Sequence, residues 1–281
     1  MIKLGGGVIA AIMMMGIATA RSLSPMGEDT PRALLQLSPL ILPWQTAIAP
    51  PFVTKSDYSS PSYRLGDLTE AERVAIAHAI TVKFWVADNN WGSGILIQRQ
   101  GPIYTVLTNR HVVNAGSRYR IETADGQRYE ARVVANPELI DYDLVLTQFT
   151  SAIAYPVAAI DPTDLAVGDT ILAAGYPIND DPSQGAGFTT VPGRVAELLP
   201  QTMAGGYQIG AEMAIAKGMS GGPLLNAQGQ LVGINGMHQY PIWGNPYVFD
   251  DGSVATVEMQ HRFERYSWAI PILDFGFWIL D

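Results

Sequence analysis

Three side chains that stand far apart in this chain are of types that together perform nucleophilic chemistry. Ser220 lies in "KGMSGGPLL" (residues 217–225), set among three glycines directly before an apolar run. A serine hydroxyl is a feeble nucleophile near neutral pH and requires an adjacent base. His111, in "VLTNRHVV", ends an apolar strand where the chain must turn, which is where a barrel scaffold presents a general base. Asp143, in "DYDLVLTQF", directly precedes core residues, so its carboxylate is drawn inward. A buried carboxylate needs a partner, and an imidazole N–H is one. Asp141 points to the same side and is the alternative. The glycines around Ser220 make either a tight turn or a bend that aims the Gly218 and Ser220 amides the same way, as holding the oxyanion of a tetrahedral intermediate requires. The chemistry of such a set is acyl transfer.

The elements that must position these groups are strands. "TVKFWVA" (81–87), "GILIQR" (94–99), "IYTVLTN" (103–109), "RYRIET" (118–123), "QRYEARVVA" (127–135) and "DLVLTQF" (143–149) alternate with period two. A second set follows: "DTILAAGY", "FTTVPGRVAELL", "GYQIGAEMA", "PLLN", "QLVGING" and "SWAIPI". Asp125-Gly126 predicts a hairpin, and Asn226–Gly229 and Asp251-Gly252 predict further turns. Six strands then six strands, with helix only at the two ends, predict an all-β protein built as two barrels or sandwiches. "LTEAERVAIAHAI" opens with a Thr69/Glu72 capping box and predicts a helix over about 69–80, with Ile76 and Ile80 on one face and His78 as a buried or half-exposed structural residue.

Domain boundaries follow as residues 67–160 for the first barrel with its leading helix, and 161–281 for the second with a short helix in "DFGFWILD". Residues 1–20 have the anatomy of a secretory signal peptide: Lys3, an almost wholly apolar stretch over 4–17, and "ATA" before a cleavage point after Ala20. That apolar run is shorter than a reliable bilayer span, so export to the periplasm or the medium is expected rather than anchoring by residues 4–20, with no stable span once the segment is cut. Residues 21–66 hold seven prolines, which block helix and sheet ladders alike and predict a linker or pro-segment.

Composition narrows the partners. With 17 basic against 26 acidic residues and a net charge of −9, no basic stripe for nucleic acid is expected. Cysteine is absent, which excludes disulfides, thiolate nucleophiles and Cys-based zinc sites. The mechanism requires no metal or organic cofactor, and Asp250 and Asp251 at a hairpin tip make no convincing calcium site.

"TNRHVV", "DLVL" and "GMSGGPLLN…GQLVGING", in that order, resemble the chymotrypsin-like serine proteases, particularly the bacterial Deg-type and related trypsin-like peptidases. "GSGILI" (92–97), "AAGYP" (173–177) and "SWAIPI" (267–272) resemble other landmarks of that group, and the likeness spans about residues 78–273. The resemblance implies an all-β fold of two six-stranded antiparallel barrels with the site in the cleft between them. It also implies a serine endopeptidase acting on polypeptides, extended or unfolded ones, with His111 as base, Asp143 as its orienting partner, Ser220 as nucleophile and the Gly218 and Ser220 amides as the oxyanion hole. It implies a pocket for the residue before the scissile bond with its floor near Ala214 and a wall along Gly233, Ile234 and Asn235. Neither place carries a charge, so an uncharged side chain is the expected preference. Lys217 and His238 either border the cleft or are plain loop residues.

Two departures from the family stand out. Met219 occupies the position of an aspartate that, in digestive members, binds a newly cut N-terminus, so that activation switch is not expected. The chain also stops soon after the second barrel, and no appended peptide-binding domain is expected. The aromatic stretch 236–252 is expected to hold a long loop against the barrel. Two rival readings exist. Gly218-x-Ser220-x-Gly222 formally fits the nucleophile elbow of α/β-hydrolases, with Asp250 and His261 following, but that elbow needs a helix after the serine and "PLLNAQGQLVGIN" reads as hairpin. The other is a protease-like binding module or chaperone without turnover. The sequence leaves oligomeric state open.

Overall fold

The computed structural model describes residues 66, 68–86, 90–160, 165–178, 187–239 and 246–272. The expected signal peptide, nearly all of the proline-rich segment and the terminal helix in 274–281 lie outside the described residues. The chain enters through α1 (Glu70–Ile80), whose cap is the predicted one: the Thr69 hydroxyl accepts the Glu72 amide while Glu72 reaches back to the Thr69 amide. Ala77 and Ile80 are buried beneath it, whereas His78 is exposed and rests on the Phe188 ring at 4.7 Å between centroids. The expectation of a buried or half-exposed His78 is thus corrected. Ala77 takes the inward place, and one helical position on is enough to turn the imidazole out.

Twelve strands form two closed antiparallel barrels. The first comprises β1 (Thr81–Val86), β2 (Asn90–Gln100), β3 (Ile103–Asn109), β4 (Tyr119–Glu122), β5 (Arg128–Val134) and β6 (Leu144–Thr150), paired in the order β1-β2-β3-β6-β5-β4. The second comprises β7 (Thr170–Gly175), β8 (Thr189–Met203), β9 (Tyr207–Glu212), β10 (Pro223–Leu225), β11 (Leu231–Met237) and β12 (Ser267–Pro271). Its ring β7-β8-β9-β12-β11-β10 repeats the first barrel's order strand for strand. Closure leaves no strand edge unpaired, which is how an all-β chain of this size avoids edge-to-edge association.

Alternation decides what fills each barrel and what joins them. Val82, Phe84, Leu96, Tyr104, Val106, Ile121 and Phe149 point into the first barrel, and Ile171, Ala173, Val195, Ile209, Ala211 and Leu224 into the second. The alternate residues at the centres of β2, β3 and β7 do not face water either. Ile95, Ile97 and Leu107 of the first barrel share one buried cluster with Leu172, Leu225, Ile234 and Ile270 of the second. Because both faces of β2, β3 and β7 are covered, those strands read as near-continuous apolar runs.

Helix is not confined to the ends. A single turn, α2 (Arg110–Val113), follows β3, and α3 (Val257–Phe263) precedes β12. The Thr256 hydroxyl caps α3 by accepting the Met259 amide, and Phe263 seats edge-on against Trp268 at 4.9 Å. Tyr247 packs on Phe263 and Phe249 bridges to Met203, so the described part of the aromatic stretch does hold its loop to the barrel.

Candidate active site

His111 is positioned by the abrupt end of β3. Asn109, wholly buried, donates through Nδ2 to the Asp143 carbonyl at 2.9 Å, and the Arg110 amide donates to the same oxygen at 3.1 Å. The Arg110 guanidinium then donates to the carbonyls of Tyr142 (3.2 Å), Leu139 (2.5 Å) and Leu144 (3.3 Å), tying α2 to the segment that leads into β6. These bonds bring the sequence-nominated pair together. The His111 amide donates to Asp143 Oδ1 at 2.9 Å, and His111 Nδ1 lies 2.5 Å from Asp143 Oδ2. The imidazole is half exposed, at 48%, while the carboxylate is sheltered at 17%. With Nδ1 engaged by the carboxylate, Nε2 is the nitrogen left to accept a proton. Asp141, the alternative partner, is exposed.

Ser220 lies in a loop whose peptides are fixed one by one. The Lys217 carbonyl accepts the Ile178 amide at 2.7 Å, the Gly218 carbonyl accepts the Ser93 hydroxyl at 2.8 Å, and the Met219 carbonyl accepts the Gly222 amide at 3.1 Å. A peptide is planar, with its N–H opposite its C=O, so each carbonyl so held also aims the next amide. The Gly218 and Ser220 amides donate to no other described residue. Met219 is buried in the second barrel's core, its Sδ accepting the Ala216 amide. The Ser220 hydroxyl donates to the Gly236 carbonyl at 3.0 Å, and among the described residues no hydrogen bond joins it to His111. Their segments nevertheless meet. The space a Cβ on Gly92 would take lies 2.6 Å from the Val112 side chain and 3.3 Å from the Ser220 carbonyl, and a Cβ on Gly221 would lie 3.1 Å from the Asn109 amide nitrogen. Serine–histidine bonds of this kind are often long or unformed without substrate.

The expected pocket lining is placed differently. Ala214 is exposed just beyond β9, but Ile234 is wholly buried in the apolar cluster. Asn235 is buried too, its Nδ2 donating to the Pro223 carbonyl at 2.9 Å and its backbone pairing with Gly221 and Gly222. Gly233 sits in regular pairing between Leu224 and Pro271. None of the three opens toward the serine. The β11 residue that does is Gly236, at the register shift between Asn235 and Met237, where an irregular strand turns its carbonyl out of the ladder. His238 is half-buried with Nδ1 at 2.8 Å from the Gln239 carbonyl, and Lys217 is exposed. At the far hairpin, Asp250's oxygens are taken by Gln201 and Thr202.

Sequence reasoning missed Tyr207. This buried residue at the start of β9 donates its hydroxyl to Asp143 Oδ2 at 2.5 Å, across the seam between the barrels. Burial, then the neighbouring Asp143 charge, pushes its phenol well above the ordinary tyrosine range. The available signal was the Gly205-Gly206 pair before it: the Gly205 carbonyl accepts the Asp143 amide at 2.9 Å, so the tight backbone there brings β9 to the aspartate.

Two closed six-stranded barrels with a His–Asp pair on one and a glycine-bound serine on the other define the chymotrypsin-like class of fold. Residues 92–234, just over half of the chain, match the model of the trypsin-like peptidase domain, and the chain belongs to that family. The elements directly after Ser220 are the strands β10 and β11 rather than a helix, which excludes the nucleophile-elbow alternative. Among curated relatives, the chain is 34% identical over 150 residues to the serine protease Do-like HtrA of Bacillus subtilis, covering 52% of this chain and 33% of that one. It is 33% identical over 146 residues to the periplasmic pH-dependent serine endoprotease DegQ of Escherichia coli, covering 51% and 30%. The match thus spans about a third of those relatives' length. The crystal structure of a serine endoprotease from Yersinia pestis aligns with a TM-score of 0.53 at 24% identity, covering 73% of this chain and 62% of that one, a likeness of fold.

Proposed function

We propose that this protein is a serine endopeptidase that hydrolyses peptide bonds through His111, Asp143 and Ser220. The observation that carries the reading is the two-point hold of Asp143 on His111, through the amide and through Nδ1, which leaves Nε2 free to act as the base. In this mechanism Ser220 Oγ bonds to the substrate carbonyl carbon as its proton passes to His111 Nε2. The carbonyl oxygen becomes an oxyanion received by the Gly218 and Ser220 amides. The C–N bond then breaks as Nε2 returns the proton to the leaving amine, and water repeats the sequence to free the serine. Asp143 keeps the imidazole in the required tautomer and stabilises the imidazolium. Before attack, the serine hydroxyl rotates from the Gly236 carbonyl toward His111.

Polypeptides are the proposed substrates, in keeping with the names of the protease relatives. Export is proposed from the sequence of residues 1–20 and from relatives named as periplasmic. Among the described residues no helix is long and apolar enough to cross a membrane. The test is labelling with a fluorophosphonate probe and mapping of the modified residue, paired with casein digestion. Label on Ser220 and loss of both label and digestion in Ser220→Ala are expected. A folded protein that takes no label at Ser220, or a Ser220→Ala variant that digests casein as before, refutes the reading and leaves a binding module.

A further inference from the structure

We propose that Tyr207 is a positioning residue of this site: its hydroxyl fixes the Asp143 carboxylate while its ring backs Gly236, so one side chain sets both the group that orients His111 and the carbonyl that holds Ser220. The proposal rests on the protease reading above, and the experiment below separates the two.

The carboxylate's contacts come from both barrels. Oδ1 accepts the His111 amide, and Oδ2 is shared between His111 Nδ1 and the Tyr207 hydroxyl. An ionised carboxylate has no proton to give, so both groups that meet Oδ2 must be donors. The phenol therefore directs its hydrogen at Oδ2 and helps to hold Nδ1 in its protonated form. Tyr207 is only 5% exposed, and burial beside the Asp143 charge keeps the hydroxyl protonated, and so a donor, well beyond the neutral range.

The second half of the argument is steric. A Cβ on Gly236 would lie 2.3 Å from both Cε1 and the hydroxyl oxygen of Tyr207, so the ring occupies the volume that any other residue at 236 would need. Gly236 is in turn the residue whose carbonyl receives the Ser220 hydroxyl at 3.0 Å. Tyr207 thus touches the aspartate on one side and the serine's resting partner on the other. It reaches no substrate atom itself and acts through these neighbours.

The experiment uses the full chain with Tyr207→Phe, which keeps the ring and removes only the hydroxyl, and a second form carrying 3,5-difluorotyrosine at 207, which keeps the ring and strengthens the donor. Two readouts are taken. On a peptide substrate, Tyr207→Phe is expected to lower kcat by about 10- to 100-fold, the worth of one hydrogen bond to a charged group, with KM nearly unchanged. In ¹⁵N-histidine NMR on the Ser220→Ala background, the His111 Nδ1–H resonance is expected to move downfield in Tyr207→Phe, because Oδ2 loses a competing donor. It is expected to move upfield with difluorotyrosine. A wild-type kcat together with an unmoved resonance overturns the proposal, even if the variant is less stable, because that pattern marks a purely structural tyrosine. Should the unmodified enzyme cleave nothing, the protease reading falls and the resonance alone decides Tyr207. A shift of opposite sign in the two forms supports the proposal; none overturns it.

Discussion

Ser93 is where the first barrel grips the serine loop, and its hydroxyl can be removed without touching the backbone-to-backbone bond from its amide to the Ser220 carbonyl. Ser93 Oγ is wholly buried, donates to the Gly218 carbonyl at 2.8 Å and accepts the Tyr176 amide at 2.9 Å. Ser93→Ala leaves one backbone acceptor and one backbone donor without this partner in a water-free place. Each such group costs about 1–3 kcal/mol. Because the methyl group refills most of the volume, the lower half of the range applies, and a loss of roughly 2–4 kcal/mol is expected in urea unfolding. The bond from the Ser93 amide to the Ser220 carbonyl, 2.8 Å, survives in the variant, so the serine loop stays docked. What is lost is the anchor of the Gly218–Met219 peptide, which lies between the two peptides that carry the proposed oxyanion donors and fixes one relative to the other. The expected kinetic effect is a fall in kcat of about 10²-fold, near that of losing one oxyanion donor, with KM changed little. The assay is turnover of a peptide substrate per active site, titrated with a fluorophosphonate. An alanine variant with wild-type kcat refutes the view that this hydroxyl aligns the loop. A wild-type urea midpoint refutes the stability argument separately.

Two further outcomes follow from the same contacts. Asp143→Asn either turns its NH2 to the Oδ2 position, where the His111 tautomer becomes wrong and Tyr207 loses its acceptor together, or turns it to the Oδ1 position, where the His111 amide loses its acceptor; kcat should fall roughly 10⁴-fold at neutral pH. At alkaline pH, Tyr207 lies well above its ordinary value through burial, and Tyr176 and Tyr247 are pushed to about 12, each chiefly by burial. The folded state holds these protons more tightly than the unfolded one, so their contribution is fully present below about pH 10 and is lost as pH rises beyond it. Tyrosinate absorbance near 295 nm should therefore lag in the folded protein and rise together with loss of near-ultraviolet circular dichroism. Independent early ionisation of all tyrosines in the folded protein would refute this.

What the sequence made legible is whatever local pattern controls. Period-two alternation, and short apolar runs bounded by turn residues where both faces are covered, located the twelve strands, and the Thr69/Glu72 pair located α1 because a capping box is a contact between residues three apart. The sequence also singled out the aspartate that meets His111, since an acidic residue directly before Leu144 has a carboxylate turned toward the interior. What it hid depends on the second barrel meeting the first. Tyr207 in an alternating strand looks like any core aromatic, and nothing local says that its hydroxyl crosses to Asp143. The pocket wall was expected along Gly233–Asn235 from the family resemblance, which carries the order of the motifs but not the register of β11. The irregularity after Asn235 turns Gly236, instead, toward Ser220. The helix α3 was missed because its seven residues bury only Phe263, too little for a helical period to stand out.

The division of labour between the two kinds of contact at the seam explains why glycines and buried hydroxyls crowd around Ser220. The apolar cluster of Ile95, Leu107, Leu172, Ile234 and their neighbours supplies the burial that joins the barrels. Such burial is non-directional and tolerates small rotations. Proton transfer does not, since misplacement by about 1 Å can cost on the order of 10²-fold. Direction has to come from hydrogen bonds that cross the seam: Ser93 N to the Ser220 carbonyl, Ser93 Oγ to the Gly218 carbonyl, Asp143 N to the Gly205 carbonyl and Tyr207 to Asp143. Backbone-to-backbone contacts of this closeness exclude side chains. Gly221 has φ of +84°, and a Cβ there would lie 2.2 Å from the Ser93 carbonyl oxygen, so the glycine after the serine is required by the docking of the barrels as much as by the turn. Gly221 is therefore a record of how closely the two barrels approach, whereas Gly222, where a Cβ would lie 2.1 Å from the Ala174 carbonyl oxygen, records how closely the loop lies on its own barrel.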